Sequence, residues 1–184
     1  MNYYIDVKIK PDAEMRENVL LNKVYTKLHK ALFTLQATDV GVSFPEYKIK
    51  LGKTIRLHST QDRLTVLCEM NFLGGLAGYC QLTDSLKISD DVMHRTISRV
   101  QSNMTEAKLR RLIKRGSITP EQAKHYKAKM FSKGIDNPYF ELESTSNKNK
   151  HRRYIAFGDI VDTPTSGLFD FFGLSKQATV PWFE

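Results

Sequence analysis

The chain has 184 residues, 28 Lys and Arg against 20 Asp and Glu, a net charge of +8 and a hydrophobic share of 41%. That length suits one large domain or two small ones, with enough apolar content for a core. The two cysteines, Cys68 and Cys80, exclude a disulfide framework. No N-terminal stretch resembles a secretion signal, and no run approaches the roughly 20 apolar residues of a membrane span, so a cytoplasmic protein without a membrane partner is expected. The charge is uneven: up to His94 there are twelve Lys and Arg against eleven Asp and Glu, and from Arg95 onward sixteen against nine. A near-neutral scaffold over residues 1–94 followed by a polyanion-binding part over 95–184 is the simplest division.

Tyr3 to Ile9 alternates, with Tyr3, Ile5, Val7 and Ile9 on one face, and predicts a half-buried strand ended by Pro11. A helix follows over roughly Met15 to Gln36, striped by Leu21, Val24, Leu28, Leu32 and Leu35. Gly41 to Phe44 and Thr54 to His58 read as short strands. Thr60 can cap a second helix with Leu64, Leu67 and Met70 inward, which Gly74, Gly75 and Gly78 break. A fourth strand falls between Tyr79 and Ser89. Strand, helix, strand, strand, helix, strand is the split βαβ pattern, so the expected class is α+β with an N-terminal ferredoxin-like (RNA-recognition-motif-like) domain. That superfold does not reveal function. The RNA-recognition version stacks bases on motif aromatics of the sheet, and no such motif is found, so the sheet face is not expected to be the reader.

After an extended stretch over Arg95 to Gln101 comes the densest cationic segment, Asn103 to Arg115. Asn103 or Thr105 can cap a helix there, with Glu106 as capping-box partner to Asn103. Leu109, Leu112 and Ile113 fall on one side; Lys108, Arg110, Arg111, Lys114 and Arg115 fall on the other. A charge run is ordinarily a solvated face. Here Glu106 is the only acid among five cations, and the preference for the planar guanidinium fork points to phosphate, without separating DNA from RNA. The apolar side is too narrow, and lacks Trp and Phe, for an interfacial membrane anchor. Thr119-Pro-Glu-Gln122 is a further helix start, with Tyr126 and Met130 on one side. Strands are predicted over Pro138 to Ser144 and Arg153 to Ile160, separated by a polar, cationic loop from Ser146 to Arg152. The C-terminal part is thus read as a smaller polyanion-binding domain built around the arginine-rich helix.

The sequence holds neither a Walker-type phosphate loop nor a dinucleotide fingerprint, and its two cysteines have no paired histidines for a zinc site. No carboxylate cluster suggests a two-metal nuclease. No metal and no cofactor are expected. RNA can still be cut without metal, because its own 2′-OH attacks the adjacent phosphate once aligned and deprotonated. Histidine is the natural base at neutral pH. Of His29, His58, His94, His125 and His151, the first sits beside stripe residue Leu28, at the edge of a buried face. Position alone leaves it open between half-buried structure and catalyst.

Short segments along nearly the whole chain carry a resemblance: Tyr3-Tyr-Ile-Asp-Val-Lys8, Lys27-Leu-His29-Lys-Ala-Leu32, Gly41-Val-Ser-Phe-Pro45, Ser98-Arg-Val-Gln101, Gly173-Leu-Ser-Lys176 and Val180-Pro-Trp-Phe183, together with the cationic helix. In this order they resemble the type I-F CRISPR-associated endoribonuclease, which cuts precursor CRISPR RNA within each repeat. The resemblance implies that His29 is the catalytic histidine and that Ser144, with Ser146 nearby, holds the cleaved ribose. It implies that Arg99 and Gln101 read base edges at the foot of the RNA stem, and Arg and Gln suit guanine and adenine respectively. The cationic helix would lie in the major groove of the stem. His151 matches an aromatic that stacks on the terminal base pair, with Arg152 beside it; Ser175 and Lys176 are further RNA contacts. Phe172 stands where the family has a tyrosine beside the histidine, so no phenol can relay protons there, while packing that orients the ring can persist.

The expected function is therefore a metal-independent, hairpin-specific endoribonuclease that cuts at the 3′ foot of the stem and stays on its product. Its expected partners are the repeat RNA and the other subunits of the type I-F surveillance complex. The rival is a non-catalytic subunit that only holds the hairpin, which Phe172 favours and His29 disfavours. A DNA-binding helix on the same scaffold is a third reading.

Overall fold

The computed structural model describes residues 1–10, 13–100, 104–132, 137–143 and 150–183. Its first half is built as β1 (Tyr3–Ile9), α1 (Glu17–Thr34), β2 (Gly41–Ser43), β3 (Thr54–Ser59), α2 (Gln61–Glu69), a 3-10 turn (Gly74–Tyr79), β4 (Cys80–Leu82) and β5 (Leu86–Lys87). The strands order as β2-β3-β1-β4, with β5 also on β1, and these pairings are antiparallel. This is the ferredoxin-like arrangement, with the two helices packed over one face of the sheet. In α1, Leu20, Leu21, Val24, Tyr25, Leu28, Ala31 and Leu32 are buried, as the helical stripe requires. The helix is shorter than its stripe suggests, because Leu35 is its C-cap and Gln36 turns to a φ of +49. The Thr60 side chain accepts from Arg63 N and caps α2. Met70, expected inward, is 38% exposed because α2 ends at Glu69 and Met70 is only its C-cap.

The second half contributes β6 (Met93–Val100), α3 (Glu106–Lys114), α4 (Pro120–Ser132), β7 (Tyr139–Glu143), β8 (Lys150–Phe157) and β9 (Thr179–Trp182). They form an antiparallel sheet ordered β7-β8-β6-β9 and the helix pair α3 and α4. The boundary expected at His94 falls inside β6. At the start of α3 the cap is Thr105, whose Oγ1 accepts from Lys108 N, and Glu106 pairs with Arg110 at 3.2 Å; Asn103 lies outside the described residues. Leu109 is buried, but Ile113 is 53% exposed, so the apolar side of α3 is narrower than the wheel predicts. Thr119 and Gln122 form a reciprocal capping box at α4, with Thr119 N donating to Gln122 Oε1 and Gln122 N to Thr119 Oγ1. The Tyr126 hydroxyl of α4 accepts from Thr105 N, joining the two helices. His151 and Arg152, expected in a loop, lie in β8 opposite Leu142 and Glu141.

β9 is a strand that Pro181 argues against. It survives because it is at the sheet edge, where a missing N–H removes no ladder bond. The two sheets share one core: Ile97, Phe140, Leu142, Ile155, Phe169, Leu174 and Val180 belong to the same apolar cluster as Ile5, Leu28 and Leu57. The C-terminal residues lock this junction. The Arg56 guanidinium lies against both Tyr4 and Phe183, 4.6 and 4.3 Å from their centroids, while the two rings meet edge to face at 5.0 Å, and it donates to Phe183 O and to both oxygens of buried Asp6. Arg95 likewise lies over Phe157 and Trp182 and donates through Nε and Nη2 to Gly158 O. All six residues of β3 are buried, polar ones included.

Candidate active site

His29 stands on the half-exposed flank of α1, three to four residues from buried Tyr25 and Leu32. Its Nδ1 is 2.9 Å from the carbonyl oxygen of Phe171. A carbonyl can only accept, so Nδ1 carries the hydrogen and Nε2 keeps the lone pair that takes a proton. The imidazole lies flat on the Phe172 ring, centroids 3.6 Å apart and planes 9° apart. On Phe172 also sits the Arg153 guanidinium, its carbon 3.5 Å from the centroid. Two groups that close to one centroid cannot share a face, so the ring is sandwiched between base and cation.

The segment bearing Phe171 and Phe172 is held tightly. Asp170 Oδ1 accepts from Phe172 N and Leu174 N, and the Tyr25 hydroxyl donates to Phe172 O at 2.9 Å. Burial, and then the Asp170 charge, push the Tyr25 phenol well above its ordinary pKa, so it is a permanent neutral donor. Gly173 has a φ of +71 and its carbonyl accepts from Val42 N; a Cβ there would run into Val42. Only glycine satisfies both the left-handed backbone and that approach.

Arg99 on β6, with Phe169, Asp170, Ser175 and Lys176, lines a concavity of about 460 Å³. Burial and the neighbouring Arg99 charge push the Arg153 guanidinium below its ordinary pKa. The Nε atoms of both Arg99 and Arg153 are buried without a hydrogen-bond partner. Arg153 on the far face of Phe172, with Arg99 near it, gives this end of the site positive charge, which favours a phosphate.

The model of the CRISPR-associated protein family Cas_Csy4 matches residues 4–183. The chain belongs to the Csy4 family. It is 33% identical, over 100% of both chains, to an Escherichia coli protein named CRISPR-associated endonuclease Cas6/Csy4, and 32% identical, again over 100% of both, to its Pseudomonas aeruginosa namesake. A solved structure, CRISPR endoribonuclease Cse3 bound to a 19-nucleotide RNA, covers 97% of this chain and 100% of its own at 10% identity and a TM-score of 0.39, too distant to add to the argument.

Of the residues expected to act in this Csy4-family chain, the fold brings His29 against Phe172, and Arg99 beside Ser175 and Lys176. Ser144, Ser146 and Gln101 lie outside the described residues. Ser175 Oγ accepts from Gln177 N and Ala178 N, so part of its capacity holds a local turn. His151 is exposed on β8. Arg152 pairs with Glu141 at 3.4 Å and lies over the Tyr139 ring, which ties it to β7. Lys108, Arg110, Arg111, Lys114 and the C-cap Arg115 are all exposed on α3, which packs on α4. Among the described residues no three His, Cys, Asp or Glu come together to hold a metal ion.

Three residues of the site were missed. Arg153 could have been found by alternation, since it shares a face of β8 with buried Ile155 rather than with exposed Arg152. Tyr25 and Asp170 carry no local signal.

Phe172 therefore positions His29 by packing alone. Phe172→Ala is expected to slow RNA cleavage about 10-fold or more by freeing the imidazole, while Phe172→Tyr changes the rate only modestly. Single-turnover rates at saturating protein would check this. A rise of several orders of magnitude on introducing the phenol would mean that packing does not suffice.

Proposed function

We propose that this protein binds the hairpin of the CRISPR repeat and cuts precursor RNA at the 3′ foot of the stem. The 2′-OH attacks the adjacent phosphate, giving a 2′,3′-cyclic phosphate and a 5′-OH. The observation that carries the proposal is the His29 site: an imidazole with Nδ1 pinned to Phe171 O, its Nε2 left as acceptor, stacked on a ring whose other face carries the Arg153 guanidinium. His29 takes the 2′-OH proton, and the charge accumulating on phosphate is met by Arg153 and Arg99. Ser144 and Ser146 hold the ribose, and Arg99 and Gln101 read the stem foot. The exposed cations of α3 bind stem phosphates, with the salt dependence of counterion release. His151, Arg152, Ser175 and Lys176 complete the RNA contacts. Membership of a family whose relatives are named endonucleases supports the reading. The protein then remains on its product in the cytoplasm and joins the other subunits of the type I-F surveillance complex.

The alternative is a subunit that holds the hairpin without cutting it; the missing phenol at Phe172 favours this. Incubating the protein with end-labelled repeat RNA in excess EDTA separates the two. Cleavage should persist undiminished, at one bond, with a cyclic or 3′-phosphate end. An intact RNA that is nevertheless bound tightly would install the alternative.

A further inference from the structure

The exposed face of α1 carries three lysines outside the residues assigned above. Lys23, Lys27 and Lys30 follow one another at intervals of four and three, so their ammonium groups share one flank of the helix. They line a trough of about 430 Å³ whose floor includes Thr26 and whose sides are Leu76 of the 3-10 turn and Glu141 of β7. Glu141, the acid among its lining residues, is paired with Arg152. Asn22, also in the trough, accepts from Glu141 N through its Oδ1, which fixes the β7 side of the trough to the helix. The trough ends at Lys30, next to His29. From Lys23 to Lys30 is roughly 10 Å along the helix at 1.5 Å per residue.

We propose that this trough holds the single-stranded RNA on the 3′ side of the cut, the strand that leaves. The inference rests on the cleavage reading above. A strand running through His29 has the paired stem on one side of the reacting phosphate and unpaired nucleotides on the other. The stem side is where Arg99, Ser175 and Lys176 form their concavity against the 168–176 segment. The lysine trough lies along a different face, that of α1 bordered by β7 and the 3-10 turn, and its Lys30 follows His29 in the chain. Its positive charge suits a phosphate chain. Among the described residues it offers the edge apolar groups Leu76 and Val19 and no aromatic ring, so it binds backbone without reading bases. The 5′ flank of the hairpin leaves the foot from the opposite strand and does not pass through His29.

The test uses the full chain and three hairpins carrying a 2′-deoxy nucleotide at the cleavage position, which removes the attacking hydroxyl and leaves binding to be measured alone. One ends just past the cut, one adds a short unstructured 3′ extension, and one adds the same extension at the 5′ end. The 3′ extension should raise affinity, and this gain should shrink about 20-fold between 50 and 200 mM salt if three phosphates are neutralised at a slope of about 0.7 each. Lys23→Gln, Lys27→Gln and Lys30→Gln combined should abolish the gain and leave affinity for the short hairpin unchanged. Equal affinity of the short and 3′-extended RNAs for the natural protein would overturn the proposal, as would a gain confined to the 5′ extension or an equal loss for all three RNAs in the triple variant. If the short hairpin is bound and its all-ribose form cut while the extension adds nothing, only the trough assignment fails. If the short hairpin is neither bound nor cut, the cleavage reading fails and takes this proposal with it.

Discussion

His29→Ala is expected to slow cleavage of repeat RNA by about 10²–10⁴-fold, the usual cost of losing a general base, and to leave hairpin affinity nearly intact. The separation follows from the geometry. The imidazole donates from Nδ1 to Phe171 O and stacks on Phe172; both contacts orient the ring and neither partner belongs to the cations that would hold phosphate. Those cations sit elsewhere: Arg153 on Phe172, Arg99 on β6, and the exposed row on α3. Removing the imidazole therefore takes away proton transfer and leaves the charge. Parallel measurement of single-turnover rate and equilibrium binding checks both halves. An unchanged rate would remove His29 from the mechanism, and an equal loss of rate and affinity would make it a binding residue.

Arg56→Met should destabilise the fold by about 3–5 kcal/mol, the cost of breaking a buried ion pair from one side. Asp6 is left as a buried carboxylate without its two donors, and Phe183 O loses the Nη1 hydrogen bond that fastens the C-terminal residues to the sheet. Replacing both charges, Asp6→Leu with Arg56→Met, should restore much of the loss, because no unpaired charge then stays inside. Equilibrium denaturation of the three proteins measures this. A single variant as stable as the natural protein would show that the Asp6–Arg56 pair contributes little.

The same cluster sets an acid limit. His58 is fully buried with Nε2 2.8 Å from Ser43 Oγ, and burial first, then the Arg56 charge, lowers its pKa from 6.5 to about 3. Between those values the unfolded chain binds a proton that the folded one does not. Stability is therefore complete above pH 6.5 and falls with pH down to about 3, by at most about 5 kcal/mol. Between pH 7 and 5 carboxylates stay ionised, so a fall in melting temperature there reports histidine; a flat profile would contradict the buried neutral state of His58.

Features that depend on near neighbours were legible from residue order. The alternation of Tyr3 to Ile9, the stripe of α1, the caps at Thr60 and Thr119, and the cationic side of α3 are all set within a few residues, where strand and helix periods act. That locality also placed His29 at the edge of a buried face. What the imidazole meets there depends on contacts made across the whole fold. Phe171 is 142 residues away along the chain and Tyr25 is 147 from the carbonyl it fastens, so no period links them. The same holds for β9, whose Pro181 is acceptable only because the strand lies at an edge, and for β3, whose Arg56 and His58 are buried because Phe183 comes back to cover them. Local pattern specifies which face of an element is apolar. Which distant segment covers that face is settled by packing the two sheets into one core, and in this protein that packing is what sets the histidine flat on Phe172, with Arg153 on the ring's other face.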